Sequence, residues 1–151
     1  MSVQPVQSVP SAKSSNAHRA ATVLSVLGGL ACFWFGLTFL LTPETAASGF
    51  GIPSWPDGQA AGYFGVKAAR DFANGAVILT LLALGRRRSL AWVMALVAIV
   101  PFGDAIAVLT HGGTYAAALG IHAATGVVVL LTAGLLFLTS GREAARGSAG
   151  S

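Results

Sequence analysis

Charged side chains are scarce in this sequence. They account for 9% of its 151 residues, whereas 54% of the residues are hydrophobic; a soluble domain carries about 25% charged residues. A soluble fold of this length could not bury so much apolar surface, so the composition indicates a polytopic membrane protein. The basic residues lie mainly at the ends of apolar runs and form no basic face interleaved with aromatic residues. We therefore expect no nucleic-acid binding.

Cysteine is nearly absent, and the common motifs of catalysis are missing. The single cysteine, Cys32, lies inside the first apolar run, so the chain lacks the second thiol that dithiol–disulfide chemistry needs. No phosphate-binding loop, nucleophile elbow or zinc-binding helix motif occurs. His122 is the only histidine deep in an apolar run, which argues against a bis-histidine haem site. We predict that the protein binds no cofactor.

Four apolar runs dominate the chain, and each is close to the 20 or so residues that cross a bilayer as a helix. They cover residues of about 21–42, 61–85, 89–110 and 115–139. The flanking segments, 1–20 and 141–151, are rich in small and polar residues, which is typical of disordered tails. The pattern predicts an all-α fold, a single four-transmembrane-helix bundle over residues 21–140.

The positions of the basic residues predict the orientation of this bundle. Outside the apolar runs, lysine and arginine occur in the two tails and in the Arg86-Arg87-Arg88 turn, while the 43–60 loop and the 111–114 turn carry none. The positive-inside rule then places both termini in the cytoplasm, as in a multi-pass protein of the plasma membrane. The 43–60 loop is rich in aromatic residues, glycine and proline, which favours an interfacial anchor over a lid on a cavity.

The second run contains an unusual group of charges. Lys67, Arg70 and Asp71 fall within five residues, although each charge costs roughly 2.5 to 3.5 kcal/mol in a membrane-spanning helix. At 100° per residue, these three and Asn74 occupy an arc of about 100°, so one stripe of the helix is polar. We expect this stripe to face the interior of the bundle.

Two further runs add ionisable residues at a similar depth. With a rise of about 1.5 Å per residue, Lys67, Asp104 and His122 all lie roughly 9 to 10 Å below the outer surface, and Asp71 lies one turn deeper. Two basic and two acidic residues give a neutral cluster, as a bundle interior requires. We predict catalytic roles for Asp71, Asp104 and His122, the last as a proton shuttle. We predict substrate-binding roles for Lys67, Arg70 and Asn74.

Two other interpretations of this cluster remain open. It could be a buried ion-pair network that only fixes the register of the helices. Asp71, Asp104 and His122 could also form a metal site with two carboxylates and one histidine, but their spacing contains no local ligand motif, so we predict no metal.

A longer pattern in the sequence resembles a known family. It reads Gly65-x-Lys67-x-x-Arg70-Asp71-x-x-x-Gly75, then Pro101-x-x-Asp104, then His122-x-x-x-Gly126. This pattern, over roughly Ala61 to Leu138, is similar to a family of small four-helix membrane proteins of unknown function from bacteria and fungi, itself DoxX-like. The resemblance implies a four-helix membrane bundle with the Arg-Asp pair, the later Asp and the His as shared features. It implies no activity, and the single cysteine leaves no thiol chemistry to inherit from DoxX-like relatives associated with membrane oxidoreductase complexes.

These observations predict a protein that binds a lipophilic or small polar molecule in the outer half of the bundle. Acid–base chemistry on that molecule, as in an isomerase or a cyclase, is compatible with the residues, and the sequence does not decide whether the protein is an enzyme. The alternatives are a non-catalytic accessory subunit of a membrane complex and a proton or solute conductor. The expected partners are the lipid bilayer and a lipophilic small molecule; a homo-oligomer or a partner in a membrane complex remains open.

Overall fold

The computed structural model of the chain describes residues 12–149, with side chains over residues 15–141. These residues form helices and turns and no strand, so the predicted all-α class is confirmed. A 3₁₀ turn at Gly58–Ala61 leads into the third helix, and a π-helical segment at Ala118–Ala123 precedes the last. The α-helices are α1 (Ala12–Leu41), α2 (Pro43–Phe50), α3 (Gly62–Ala83), α4 (Arg87–Val97), α5 (Ile99–Thr110), α6 (Tyr115–Ala117) and α7 (Ala124–Ala149).

Three helical stretches of the described chain are long and apolar enough to cross a membrane. They are Ser15–Leu41, Arg87–Thr110 and Tyr115–Gly141. Helix α3, the remaining predicted span, has 22 residues and is therefore about 33 Å long. Its three charged residues, Lys67, Arg70 and Asp71, all lie inside the helix, whereas the two arginines of the Arg87–Thr110 stretch lie at its end.

The first and last helices extend further than the sequence patterns predict. Residues 12–20 and 141–149 are helical where disordered tails are expected, while residues 1–11 and 150–151 lie outside the described part of the chain. Extension of an existing helix costs little because only the first turn carries the penalty of nucleation. A tertiary contact also holds the start of α1, since the Arg87 guanidinium donates hydrogen bonds to the carbonyl of His18 (3.2 Å) and the hydroxyl of Thr22 (2.9 Å).

The bundle is closed in the half that contains the turn between α3 and α4. Here α1 packs against α3 and α7, and α4 packs against the same two helices around buried Ile78, Leu90 and Leu136. Helices α1 and α3 meet through small residues: a Cβ atom added to Gly75 would lie 2.8 Å from the carbonyl oxygen of Gly29. Such close backbone contact is typical of helix pairs in membranes.

The bundle is more open in the other half. Helix α5 packs against the π-helical segment and α7 and makes few close backbone contacts with α3. The predicted third span is interrupted at Ala98, where α4 ends and α5 begins. Pro101 explains this break, since it has no N–H to donate to the carbonyl of Val97.

Helix α2 covers the open end of the bundle. Residues 43–50 form a helix that begins at Pro43 and is followed by Gly51, whose φ of 97° lies in the left-handed region that glycine adopts readily. Phe50 packs with Phe39 and Ala47 on one side and with Val108 and Ala118 on the other. It therefore bridges the separation between α1 and α5.

Candidate functional site

All six predicted site residues line one cavity in the open half of the bundle. Its volume is about 430 Å³, within the range of roughly 300 to 1,000 Å³ that is usual for small-molecule sites. The walls come from α1, α2, α3, the α4–α5 stretch, the π-helical segment and α7. The predicted residues on these walls are Lys67, Arg70, Asp71, Asn74, Asp104 and His122.

Asp71 lies between two cations of its own helix. Its Oδ2 atom accepts a hydrogen bond of 2.8 Å from Lys67 Nζ, and its Oδ1 atom lies 3.6 Å from Arg70 Nε. Residues four apart share a helix face, so α3 alone brings Lys67 and Asp71 together. Asp71 is 7% exposed. Both of its carboxylate oxygens therefore face cations in a buried position.

A weaker contact connects α3 with α5. Arg70 Nη2 lies 4.0 Å from Asp104 Oδ2, and the two side chains are 41% and 22% exposed. This distance permits electrostatic attraction but exceeds the length of a hydrogen bond, about 2.7 to 3.2 Å for N–H···O. Among the side chains that the structure describes, Asp104 thus has one ionic partner at 4.0 Å, whereas Asp71 has two closer ones.

His122 contacts the helix that covers the cavity. Its Nε2 atom lies 2.8 Å from the carbonyl oxygen of Phe50, and the two rings pack with their centroids 4.5 Å apart. Because a carbonyl oxygen only accepts hydrogen bonds, Nε2 carries a proton. The Nδ1 atom forms no hydrogen bond with any residue that the structure describes. It is therefore the ring atom available to a bound molecule.

The position of His122 depends on an irregular stretch of helix. Residues 118–123 adopt the π-helical conformation, with α-helix on both sides. One wider turn changes the direction of the side chains relative to a regular helix, and such turns are frequent at functional sites. The expectation that His122 faces the bundle interior is met, although the histidine contacts Phe50 and forms no ion pair with Asp71 or Asp104 among the described residues.

Aromatic residues that the sequence patterns do not predict complete the site. Lys67 Nζ lies 4.5 Å from the centroid of the Phe39 ring and 5.7 Å from that of Phe50, distances at which cation–π attraction is effective. Phe50 is half-buried against His122, a contact that agrees with the lid interpretation of the 43–60 loop. The sequence pattern indicates that the charge of Lys67 needs a partner inside the bundle, but it does not identify Phe39 or Phe50 as that partner.

The cavity is polar towards α2 and apolar towards the middle of the bundle. Lys67 and His122 lie at the polar end, and Ile78, Met94 and Val129 line the apolar end. On α3, Lys67 and Ile78 are eleven residues apart, which corresponds to about 16 Å along the helix. The lining therefore suits an elongated molecule with one polar end.

The potential metal ligands within the described part of the chain are dispersed. Among the described residues, no three of histidine, cysteine, aspartate and glutamate lie close enough together to hold a metal ion. The metal site of two carboxylates and one histidine considered from the sequence therefore lacks a ligand set.

Most of the chain matches a known family model. Residues 29–136 match a family described as a domain of unknown function, DUF4267. This match covers well over half of the chain and includes all six cavity residues predicted from the sequence. Neither the curated proteins nor the solved structures contain a significant match to the chain.

Proposed function

The chain belongs to the DUF4267 family, and we propose that it is a four-span protein of the plasma membrane whose cavity binds a lipophilic molecule with a polar end. The observation that carries this proposal is the convergence of Lys67, Arg70, Asp71, Asp104 and His122 on one otherwise largely apolar cavity. Ionisable groups inside a membrane bundle are costly and usually mark a binding site or a pathway. The DoxX-like character suggested by the sequence is part of the same proposal.

The directions of the side chains on α3 support a fourth span. The charged stripe faces the cavity, whereas Tyr63, Val66 and Val77 are exposed on the outer surface of the helix. An apolar outer surface can contact lipid while the charges remain inside the protein. The hydrogen bonds of Arg87 bring the triple-arginine turn next to the start of α1, in agreement with cytoplasmic termini by the positive-inside rule.

Acid–base chemistry in this cavity would depend chiefly on Asp104 and His122. Asp71 contacts both Lys67 and Arg70, so its carboxylate is engaged in balancing their charges. Among the described residues, Asp104 has one ionic contact, at 4.0 Å from Arg70, and His122 Nδ1 forms no hydrogen bond. A general acid or base must reach the proton that it transfers, and these two groups are the less engaged ones. Proton transfer within a lipophilic substrate, as in an isomerase or a cyclase, agrees with this arrangement.

The same contacts also favour one alternative. Lys67, Asp71, Arg70 and Asp104 form a continuous series of ion pairs from α3 to α5, which could serve only to hold the two helices together. The protein would then be an accessory subunit without a ligand of its own. This alternative predicts an empty cavity in the purified protein.

Mass spectrometry of lipids extracted from the purified protein tests the proposal. We expect a lipophilic molecule to co-purify at close to one equivalent and to be lost on substitution of Ile78→Trp, which would fill the apolar end of the cavity. Leu84→Trp, at the exposed residue that follows the same helix, is the matched control and should retain the molecule. If the wild-type protein carries no molecule beyond bulk membrane lipid, the accessory-subunit interpretation is favoured. If a molecule is found and converted, Asp104→Asn and His122→Ala should abolish conversion without unfolding the protein.

A further inference from the structure

Arg70 has hydrogen-bonding capacity that the protein does not use. A guanidinium group has five N–H donors, yet the closest carboxylate oxygens lie 3.6 and 4.0 Å away and no described residue accepts a hydrogen bond from it. Lys67, one turn away, donates a 2.8 Å hydrogen bond to Asp71. Unpaired donors are costly where water is scarce. Arg70 is therefore suited to receive an acceptor group from a molecule in the cavity.

Asn74 extends this unused capacity along the same face of α3. It follows Arg70 by four residues and therefore lies one turn further along the helix, towards the apolar end. Its side chain lines the cavity and forms no hydrogen bond with any residue of the described chain. The hydroxyl groups of Thr38 and Thr125, by contrast, donate to carbonyls of their own helices. Arg70 and Asn74 thus offer neighbouring donors at the junction of the polar and apolar parts.

On the basis of the proposed function, we propose that the ligand is a lipophilic monocarboxylate whose carboxylate binds Arg70 and Asn74. A planar carboxylate matches the guanidinium fork and can accept two parallel hydrogen bonds from it. Its apolar part would extend along the lining formed by Ile78, Met94 and Val129. Hydrogen bonds between charged partners are about twice as strong as neutral ones, which favours the acid over its ester or alcohol.

The charges around the cavity restrict the head group to a single negative charge. Lys67 and Arg70 balance Asp71 and Asp104, so the cluster is neutral before a ligand binds. A monoanion adds one uncompensated charge, whereas a dianionic phosphate monoester adds two and is disfavoured in a bundle interior. The bound carboxylate would compete with Asp104 for Arg70. Removal of the Asp104 charge should therefore strengthen binding, an effect that a purely structural role for this residue does not produce.

Binding of radiolabelled laurate to the full chain in phosphatidylcholine nanodiscs tests the proposal. Empty nanodiscs give the background partitioning of laurate into lipid. We expect saturable binding that Arg70→Gln weakens roughly ten- to a hundredfold, the loss typical of hydrogen bonds to charged groups. Asp104→Asn should bind laurate more tightly than the wild type. Arg88→Gln removes the same charge at an exposed position at the start of α4 and should leave binding unchanged.

Methyl laurate and monododecyl phosphate, each with the same chain length, provide a test that needs no variant. Both should bind at least about tenfold more weakly than laurate, because one lacks the charge and the other adds a second one. If the ester binds as tightly as the acid, or if Arg70→Gln has no effect on laurate, the head-group assignment is wrong while the lipid-binding function stands. If laurate shows no saturable binding but another lipophilic molecule co-purifies, the carboxylate class is again wrong. If neither is observed, the proposed function fails as well.

Discussion

The two aspartates of the cavity should differ sharply in their contribution to stability. Asp71 is 7% exposed and contacts Lys67 at 2.8 Å and Arg70 at 3.6 Å. Asp71→Asn keeps the shape of the side chain but leaves the cluster with one uncompensated positive charge. Breaking a buried ion pair costs about 3 to 5 kcal/mol. We expect about 3 kcal/mol, because Lys67 would keep its contact with the Phe39 ring.

Asp104→Asn removes the same charge at a lower cost. Within the described chain, its one ionic contact is 4.0 Å long, its side chain is 22% exposed, and Arg70 would retain Asp71 as a partner. Partly exposed ion pairs of this kind contribute about 0 to 1 kcal/mol. We therefore expect Asp104→Asn to be at least about 2 kcal/mol more stable than Asp71→Asn.

Unfolding in mixed micelles of dodecylmaltoside and increasing fractions of sodium dodecyl sulfate would measure this difference. Loss of helix, followed by circular dichroism, should occur at a clearly lower fraction of sodium dodecyl sulfate for Asp71→Asn, and close to the wild-type midpoint for Asp104→Asn. The Asp71→Asn, Asp104→Asn double variant shows whether the two sites are coupled. Equal destabilisation by the two single changes would refute the distinction and would identify the whole cluster as a structural network.

Two further pairs of variants test the packing of the bundle. Gly75→Ala places a methyl group 2.8 Å from the backbone of α1 and should lower the free energy of unfolding by about 1 to 3 kcal/mol through overpacking. Gly65→Ala, in the same helix with nothing within 4 Å, should be neutral or slightly stabilising. Equal midpoints of thermal unfolding in detergent would contradict the close approach of α1 and α3. Arg87→Gln removes two hydrogen bonds to α1 and should lower the free energy of unfolding by about 1 to 3 kcal/mol. Arg88→Gln, at an exposed position, should leave it unchanged. If both variants lower the unfolding midpoint equally, the net charge of the arginine segment matters and the contact with α1 does not.

The polar face of the site can be predicted from the sequence, because charged side chains in an apolar helix are stable only where they face the interior of the bundle. Lys67, Arg70, Asp71 and Asn74 share a stripe by helical periodicity alone, and the cost of exposing charges to lipid directs that stripe inwards. Asp104 and His122 join it because antiparallel helices of similar length bring equal depths together. The structure agrees with each of these placements. Their chemical roles remain predictions.

Other parts of the site depend on tertiary contacts that periodicity does not contain. Phe50 belongs to a segment rich in glycine and proline, and its place against His122 is determined by packing across α1 and α5. The π-helical segment around His122 has no residue signature, because a wider turn requires support from its surroundings and not a particular side chain. The interruption at Ala98, by contrast, is predictable from the sequence, because Pro101 cannot complete the helical hydrogen bonds. Local geometry determines only how many residues before the proline the break occurs.

The interruption between α4 and α5 explains why a cavity exists between α3 and α5. Regular helices with small residues at their contacts would close against each other, as α1 and α3 do at Gly29 and Gly75. Helix α5 begins after the interruption at Ala98, and Phe102 packs tightly on Gly126 of α7, where an added Cβ would lie 2.8 Å from the ring. This contact holds α5 against α7 and away from α3, and Arg70 and Asp104 span the resulting gap at 4.0 Å. Phe102 and Gly126, which keep this gap open, are tightly packed against each other. The cavity is therefore a regular feature of the fold and not a packing defect.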